Sequence, residues 1–152
     1  MGEQYQESAI PMNSMHMARF TAAYWCVLVA VLLPMACSYL AKSGGRGKSR
    51  KEGGFDNRDP RGWLARQTGW QARANAAQTN SFEALPFFIG AVIIAHQLGA
   101  AQTLLDLAAL LWVFLRIFYI MMYVADMPTA RSALWSGAFL VNVGILFLGY
   151  HR

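Results

Sequence analysis

A carboxylate and an amide lie just before a proline in a segment that is apolar enough to enter a bilayer. Asn80 and Glu83 stand three residues apart, and the run after Glu83 is apolar as far as Ala95. On a helix that turns about 100° per residue, Arg66, Arg73, Asn80 and Glu83 share one face. A carboxylate at a membrane boundary is normally neutral or paired, so this face predicts a polar site.

An arginine stands near the middle of a later apolar segment. Arg116 lies within the segment 107–125, and Tyr119 and Tyr123 follow it on the same helical face. Because an arginine at mid-membrane costs roughly 2.5–3.5 kcal/mol on insertion scales, we expect Arg116 to face the interior of a helix bundle. Glu83 is its expected partner, in an ion pair that is structural or part of a site.

Four apolar segments must position these residues. The chain has 152 residues, of which 56% are hydrophobic and 14% charged, more apolar than a typical soluble domain. Segments long enough to cross a bilayer are predicted at about 20–40, 80–98, 104–125 and 132–150, and the helix that contains the second is expected to begin near Gly62 or Trp63. The prediction is an all-α membrane protein, a left-handed four-helix transmembrane bundle over residues 20–150 that follows a polar tail at 1–19. A soluble bundle with four such helices would have almost no polar surface.

Positive charge is concentrated between the first two predicted spans. Eight of the thirteen basic residues lie in the loop 42–66. Short loops rich in Lys and Arg stay in the cytoplasm, so both termini are predicted to lie outside, an arrangement that suits a bacterial inner membrane. The glycine-rich part of the loop, 42–60, has no apolar period and is predicted to be a flexible linker. Nucleic-acid binding is the competing explanation, but no aromatic platform accompanies the charge, and no nucleic-acid partner is expected.

The remaining reactive residue types indicate no further chemistry. Cys26 and Cys37 are eleven residues apart, roughly 16 Å along one helix and too far for a disulfide, so buried apolar packing is expected of both. The residues "PMAC" ending at Cys37 leave a cleaved signal segment as an alternative to the first span. No His, Cys and Asp cluster has metal-ligand spacing, and no metal is expected.

Two stretches together resemble a known family. "RANAAQTNSFEALPFF" followed by "RIFYIMMYVADMPTARSALW" is similar to the MAPEG family, the membrane-associated proteins in eicosanoid and glutathione metabolism. The most specific parts are Asn80-x-x-Glu83-x-x-Pro86 and Arg116-x-x-Tyr119-x-x-x-Tyr123, with Arg131 beyond. The resemblance implies a homotrimer embedded in the lipid bilayer, with glutathione bound between subunits near the cytosolic side as co-substrate. It also implies a transferase or peroxidase that acts on hydrophobic electrophiles or lipid hydroperoxides.

The resemblance further implies roles for individual residues. Arg131 lies in the predicted turn before the fourth span, where a lone arginine is usually a topology anchor. By the resemblance, Arg131 looks like the catalytic arginine credited with stabilising the glutathione thiolate. Glu83 and Arg116 look like the family's ion pair between helices. The implied glutathione contacts are Arg73, Asn80, Glu83, Arg116, Tyr119, Tyr123 and Ser132. The chain departs from the eukaryotic enzymes at Ala76, where they have an arginine, and its nearest cation is Arg73.

Two other functions remain open on the sequence. One is a non-catalytic member of the same fold that binds small molecules or acts as a membrane scaffold, which Ala76 favours. The other is a small transporter subunit in which Glu83 and Arg116 line a pathway through the membrane.

Overall fold

The computed structural model describes residues 20–150, and the predicted polar tail at 1–19 lies outside them. Four long helices dominate this part of the chain: α1 (Ala22–Ser43), α3 (Gly69–Gln97), α4 (Gln102–Val124) and α5 (Pro128–Phe147). A 3₁₀ turn (Arg50–Glu52) and a short helix α2 (Pro60–Ala65) lie between α1 and α3. Each long helix is long and apolar enough to cross a membrane, as predicted, and residues 20–150 contain no strand.

The outer surface of the bundle is apolar. Leu32 on α1, Leu104 and Phe114 on α4, and Leu140 on α5 all expose half or more of their surface. Water would disfavour this pattern, whereas lipid tails accept it at no cost. The chain is therefore an integral membrane protein with four membrane-crossing helices.

Helix α1 packs through a stripe of small residues. Its buried positions recur every three or four residues and are Ala23, Cys26, Ala30, Pro34, Cys37 and Ala41. Small side chains let neighbouring helix backbones approach closely, which is the main source of packing energy between helices in lipid. Both cysteines are buried and free, as expected from their spacing.

Helices α3 and α4 form the centre of the bundle, and α1 and α5 each pack against both of them. Phe88 of α3 stacks on Trp112 of α4 with ring centroids 3.8 Å apart and an angle of 4° between the rings. Both side chains are almost fully buried. This aromatic stack fixes the register between the two helices that carry the predicted polar residues.

Contacts between helix ends show that successive long helices run in opposite directions. At one end, the Ala23 N–H at the start of α1 donates to the Asp106 carboxylate in the first turns of α4, at 2.8 Å. At the other end, Arg73 near the start of α3 donates to the Val124 carbonyl at the end of α4, at 3.0 Å. The basic loop and the turn between α4 and α5 therefore lie at the same end of the bundle.

The basic loop is folded, so the prediction of a flexible linker over 42–60 is wrong. Trp63 of α2 is buried, and its indole N–H donates to the Gly53 carbonyl at 3.2 Å. Phe55 packs edge-on against the same indole with ring centroids 5.3 Å apart. A large aromatic side chain gives this glycine-rich segment an apolar contact that its hydrophobic pattern does not reveal.

The predicted start of the second long helix is also wrong. Trp63 belongs to the separate helix α2, and α3 begins at Gly69, whose φ of 58° lies in the left-handed region that favours glycine. Arg66 caps the C-terminus of α2 and pairs with Asp59 at 3.6 Å. Because the chain turns between α2 and α3, Arg66 does not belong to the α3 face that carries Asn80 and Glu83.

Candidate functional site

Helix α3 supplies the amide and the carboxylate of the predicted site. Asn80 and Glu83 are one turn apart, and the Asn80 amide donates to the Glu83 carboxylate at 3.4 Å. Pro86 does not end the helix, which continues as far as Gln97. Glu83 is an exposed residue, so α3 presents a carboxylate on the outside of the single subunit.

Arg116 of α4 is 2% exposed, which confirms that it faces the bundle interior. Its Nη2 donates to the Asn80 side-chain carbonyl at 3.0 Å and to the Ser81 hydroxyl at 3.3 Å. Three ion pairs occur within residues 20–150, and none of them joins Arg116 to Glu83. The expected direct ion pair is therefore wrong for the single subunit, because the Asn80 side chain bonds to both charged groups and links them.

Cations and aromatic rings alternate along α4 and onto α5. The guanidinium carbon of Arg116 lies 4.3 Å from the centre of the Tyr119 ring. Tyr119 meets Tyr123 edge-on with ring centroids 5.6 Å apart. The guanidinium carbon of Arg131 lies 4.6 Å from the centre of the Tyr123 ring. Cation–π contacts of this kind hold a guanidinium in place without neutralising it.

Arg131 lies in the first turns of α5 and not in the turn before it, which corrects the predicted position. Its N–H donates to the Met127 carbonyl at 2.9 Å, so the residue is already helical. Within residues 20–150 its guanidinium has no hydrogen-bond or ion-pair partner. Tyr123 therefore positions a cation whose N–H donors are available to a ligand.

The residues around Arg131 form a depression that we call the outer hollow. Its volume is about 280 Å³, and its lining consists of Tyr119, Tyr123, Arg131, Ser132, Trp135 and Ser136. Four hydroxyl groups and one guanidinium therefore face the same space. This lining suits an anionic ligand that accepts hydrogen bonds.

A second space, the inner cavity, lies between α3, α4 and α5 and has a volume of about 200 Å³. Its polar lining residues are Asn80, Glu83, Arg116 and Asn142, and the rest of its wall is apolar or aromatic. Trp135 borders both the inner cavity and the outer hollow. The two spaces are therefore neighbours that share one aromatic wall.

Arg73 is not brought to these polar groups. Its Nε donates to the Val124 carbonyl at 3.0 Å, and its Nη1 pairs with Asp126 at 3.3 Å. Cations commonly occupy this position at the C-terminus of a helix, where unpaired carbonyls carry partial negative charge. Arg73 therefore ties α3 to the end of α4, and no cation of α3 stands where Ala76 leaves a gap.

Three site residues were missed from the sequence. Ser81 binds Arg116, Asn142 lies buried in the wall of the inner cavity, and Trp135 separates the two spaces. Asn142 could have been recognised from the sequence, because a lone amide in the apolar run "FLVNVGILF" needs a buried partner. Ser81 lies on the buried stripe of α3, which becomes visible only when the bounds of the helix are known.

No group of three or more His, Cys, Asp or Glu side chains that could hold a metal ion lies within residues 20–150. The ionic groups of the two spaces are guanidinium groups and one carboxylate.

The helices and the two polar spaces define a small multi-pass membrane protein with a site between its helices. The sequence pattern of the MAPEG family matches residues 22–150, so the chain belongs to the MAPEG family, a family of membrane proteins in glutathione and eicosanoid metabolism. No curated protein and no solved structure matches the chain.

Proposed function

We propose that the protein is a glutathione-dependent transferase or peroxidase that acts on hydrophobic electrophiles or lipid hydroperoxides. One observation carries the proposal. The guanidinium of Arg131 is held over Tyr123, has no anionic partner within residues 20–150, and faces a hollow lined by hydroxyl groups. A cation that is fixed in place and not neutralised by another anion stabilises a neighbouring thiolate.

Arg131 activates the thiol by stabilising its ionised form. A free thiol has a pKa of about 8.5 and is mostly protonated at neutral pH. A neighbouring guanidinium lowers that pKa and raises the concentration of the nucleophile. The hydroxyl of Ser132, the next residue on α5, lines the same hollow and donates a second hydrogen bond to the sulfur or to a carboxylate of the tripeptide.

The other groups hold the tripeptide. The exposed carboxylate of Glu83 binds the glutathione amine, and the hydroxyls of Tyr119 and Tyr123 bind its carboxylates or amides. Arg116 does not line the outer hollow, and it acts by orienting Asn80. Arg73 is engaged with the end of α4, and we leave it out of the contacts.

The reaction follows from the thiolate. In transfer, the sulfur attacks an electrophilic carbon, a carbon–sulfur bond forms, and the leaving group departs with the electron pair of the broken bond. In peroxide reduction, the sulfur attacks the terminal oxygen of the hydroperoxide and becomes a sulfenic acid. The oxygen–oxygen bond breaks, and the alkoxide that leaves takes up a proton. A second glutathione then converts the sulfenic acid to the disulfide and releases water.

We also propose that the protein assembles as a homotrimer. Gln78, Thr79 and Glu83 border an open groove on the outer side of α3, and Thr79 and Glu83 are exposed. A polar face on a membrane-crossing helix needs cover from protein or water. A second copy of the chain supplies that cover, and the mass of the protein in detergent, measured by sedimentation, tests the number of copies.

The basic loop supports a cytoplasmic position for the end of the bundle that holds the outer hollow. Eight basic residues lie there, and the positive-inside rule then places both termini outside. Labelling of single cysteines in intact cells tests this orientation. Ser43→Cys should be shielded from an impermeant thiol reagent, and Gly99→Cys, in the turn between α3 and α4, should react.

Titration of the detergent-purified protein with glutathione tests the enzymatic proposal. Thiolate formation is followed by its ultraviolet absorbance. Saturable thiolate absorbance is expected in the natural protein and should be lost in Arg131→Ala. Arg46→Ala is the matched control, because Arg46 also lies over a tyrosine ring, that of Tyr39, but belongs to the basic loop.

Two results would overturn the proposal. One is an unchanged thiolate signal in Arg131→Ala, which would remove the role of the guanidinium. The other is an absence of binding at millimolar glutathione.

A non-catalytic binding member of the same fold is the second candidate. The observation that favours it is the engagement of Arg73 with Val124 and Asp126, which leaves no cation near Ala76. Turnover with an electrophile and with an organic hydroperoxide separates the two candidates. A protein that binds glutathione but turns over neither substrate is the non-catalytic one.

A further inference from the structure

We propose that the basic loop, residues 42–66, binds the headgroup of an anionic phospholipid, with Arg46 as the central contact. Two observations carry this inference. The cations of the loop outnumber the acids that could neutralise them, and the fold holds Arg46 against the end of α1. The proposal does not rest on the glutathione chemistry above, because Arg46 does not line the outer hollow.

The basic loop carries the whole net charge of the chain. It contains eight basic and three acidic residues, whereas the rest of the chain has five of each, and the net charge is +5. Arg50 pairs with Asp56 at 3.8 Å, and Arg66 pairs with Asp59 at 3.6 Å. The third acid, Glu52, caps the 3₁₀ turn. The cations of the loop that have no ion-pair partner within residues 20–150 are Lys42, Arg46, Lys48, Lys51, Arg58 and Arg61.

Packing on two sides fixes the position of Arg46. Its guanidinium carbon lies 4.1 Å from the centre of the Tyr39 ring, near the end of α1. The residue before it, Gly45, is buried against the indole of Trp63, and a Cβ on Gly45 would lie only 2.7 Å from that ring. Arg46 itself is exposed, so its guanidinium N–H groups are available to a ligand.

Tyr39 places this guanidinium on the outer side of α1, at the level of the lipid headgroups. Tyr39 is 63% exposed and stands two residues from both Cys37 and Ala41, which are buried. Because successive helical residues are about 100° apart, Tyr39 points away from the bundle. The 22 residues of α1 span about 33 Å, close to the hydrocarbon thickness of about 30 Å. Its last turns therefore reach the membrane surface, where tyrosine is common.

The phosphate of a phospholipid matches the donors of Arg46. A guanidinium binds phosphate oxygens through two parallel N–H groups. A zwitterionic lipid carries its own cation beside the phosphate, whereas phosphatidylglycerol has a negative charge that only the protein or an ion can balance. Each Lys or Arg near an anionic membrane surface strengthens the association about fivefold. The unpaired cations of the loop therefore favour the anionic lipid.

A lipid fits this surface better than a nucleic acid does. Single-stranded nucleic acid binds where aromatic rings are open for its bases to stack on. Here the guanidinium of Arg46 covers the Tyr39 ring, and Lys42 Nζ lies 5.0 Å from the centre of the Phe55 ring. Tyr39 also belongs to a membrane-crossing helix, so the lipids of the bilayer adjoin Arg46 directly.

The test compares phosphatidylglycerol with phosphatidylcholine of the same acyl chains, supplied in equal amounts to the detergent-purified full chain. Native mass spectrometry counts the lipids of each class that stay bound, which gives the ratio of the two association constants. The natural protein should prefer phosphatidylglycerol by more than about fivefold. The preference should fall as the salt concentration rises.

Two variants with the same loss of charge test the position of the site. Arg46→Gln should lower the preference about fivefold, which is the effect of one cation. Arg66→Gln is the matched control, because it removes a cation of the same loop that Asp59 already neutralises, and it should change the preference much less. Tyr39→Leu removes the ring under Arg46 and should have an intermediate effect.

A further variant separates a folded site from a loop that is merely charged. Trp63→Ala keeps all eight cations but removes the side chain against which Gly45 packs. The preference should then fall towards that of Arg46→Gln. An unchanged preference in Trp63→Ala would show that charge alone attracts the lipid, and the site at Arg46 would be lost.

The proposal fails if the natural protein binds the two lipids equally. It also fails if Arg46→Gln and Arg66→Gln lower the preference by the same factor, since net charge and not the position of Arg46 would then decide. Displacement of phosphatidylglycerol by a single-stranded RNA oligonucleotide at physiological ionic strength would assign the surface to nucleic acid and overturn the proposal. Each of these results is independent of whether the protein binds glutathione.

Discussion

Arg116 and Asn80 form the central polar contact between α3 and α4, with a distance of 3.0 Å between Nη2 of the arginine and Oδ1 of the asparagine. The same Asn80 side chain donates through its amide nitrogen to Glu83. One neutral amide therefore connects a buried cation to an exposed carboxylate. Mutations of Asn80 and of Glu83 should therefore change the stability of the protein by different amounts than they would if Glu83 and Arg116 formed a direct ion pair.

Loss of Asn80 should cost more stability than loss of the charge on Glu83. Asn80→Leu removes a hydrogen bond to a buried cation, a contact worth about 1.5–3 kcal/mol. Glu83→Gln keeps a group that accepts from Asn80 and should have a small effect. The free energy of unfolding in mixed detergent micelles checks both. A Glu83→Gln variant as unstable as Asn80→Leu would restore the direct ion pair, formed within an oligomer.

Arg73 should act as a structural residue. Arg73→Ala removes a charge-assisted hydrogen bond to the Val124 carbonyl and should destabilise the protein by about 1.5–3 kcal/mol. Asp126→Asn, which removes only an exposed ion pair, should cost less than about 1 kcal/mol. Unfolding and glutathione titrations are measured on the same samples. If Arg73→Ala lost glutathione binding at unchanged stability, Arg73 would be a ligand contact after all.

Trp63 should determine whether the basic loop is folded. Trp63→Ala removes a buried side chain and its hydrogen bond to Gly53, and the glycine-rich segment should then become mobile. Limited digestion with trypsin measures this, because the loop contains several Lys and Arg residues. Cleavage should be markedly faster in Trp63→Ala than in the natural protein, and Trp63→Phe should be intermediate. Equal cleavage rates would support the flexible linker that the composition suggested.

Ala76→Arg should strengthen glutathione binding. The change places a cation one turn before Asn80, where Arg73 does not reach. A new charge-assisted hydrogen bond is worth about 1.5–3 kcal/mol, and a gain of about tenfold in affinity is expected. Gln97→Arg, at an exposed position at the other end of the same helix, controls for the added charge. Equal gains in the two variants would show a general electrostatic effect and no specific site.

Tyr123 should position Arg131 mainly through its ring. Tyr123→Phe keeps the aromatic face, so the pH at which the bound thiol ionises should change little, although the lost hydroxyl should weaken glutathione binding. Tyr123→Leu removes the cation–π contact, worth roughly 0.5–1 kcal/mol at a partly exposed site, and thiolate formation should move to higher pH. Thiolate absorbance as a function of pH measures the difference. The same shift in both variants would assign the effect to the hydroxyl.

Much of the architecture followed from the sequence alone. Four apolar segments predicted four membrane-crossing helices, since lipid allows a single chain few other ways to satisfy its backbone hydrogen bonds. The isolated Arg116 predicted an inward-facing cation, because the cost of exposing it to lipid is high at any position around the helix. The motifs on α3 and α4 indicated the family, and the match over residues 22–150 confirmed it.

Tertiary structure decided which partner each polar group meets. Arg116 bonds to Asn80 and Ser81, and Arg73 turns to the end of α4. Partner choice depends on the register and rotation of α3 against α4, which the Phe88–Trp112 stack fixes. A small change in the rotation of one helix would exchange one hydrogen-bond partner for another. The hydrophobic pattern of each helix does not specify its rotation that closely. The inner cavity arises in the same way, because its walls come from three helices whose packing no single segment of the sequence specifies.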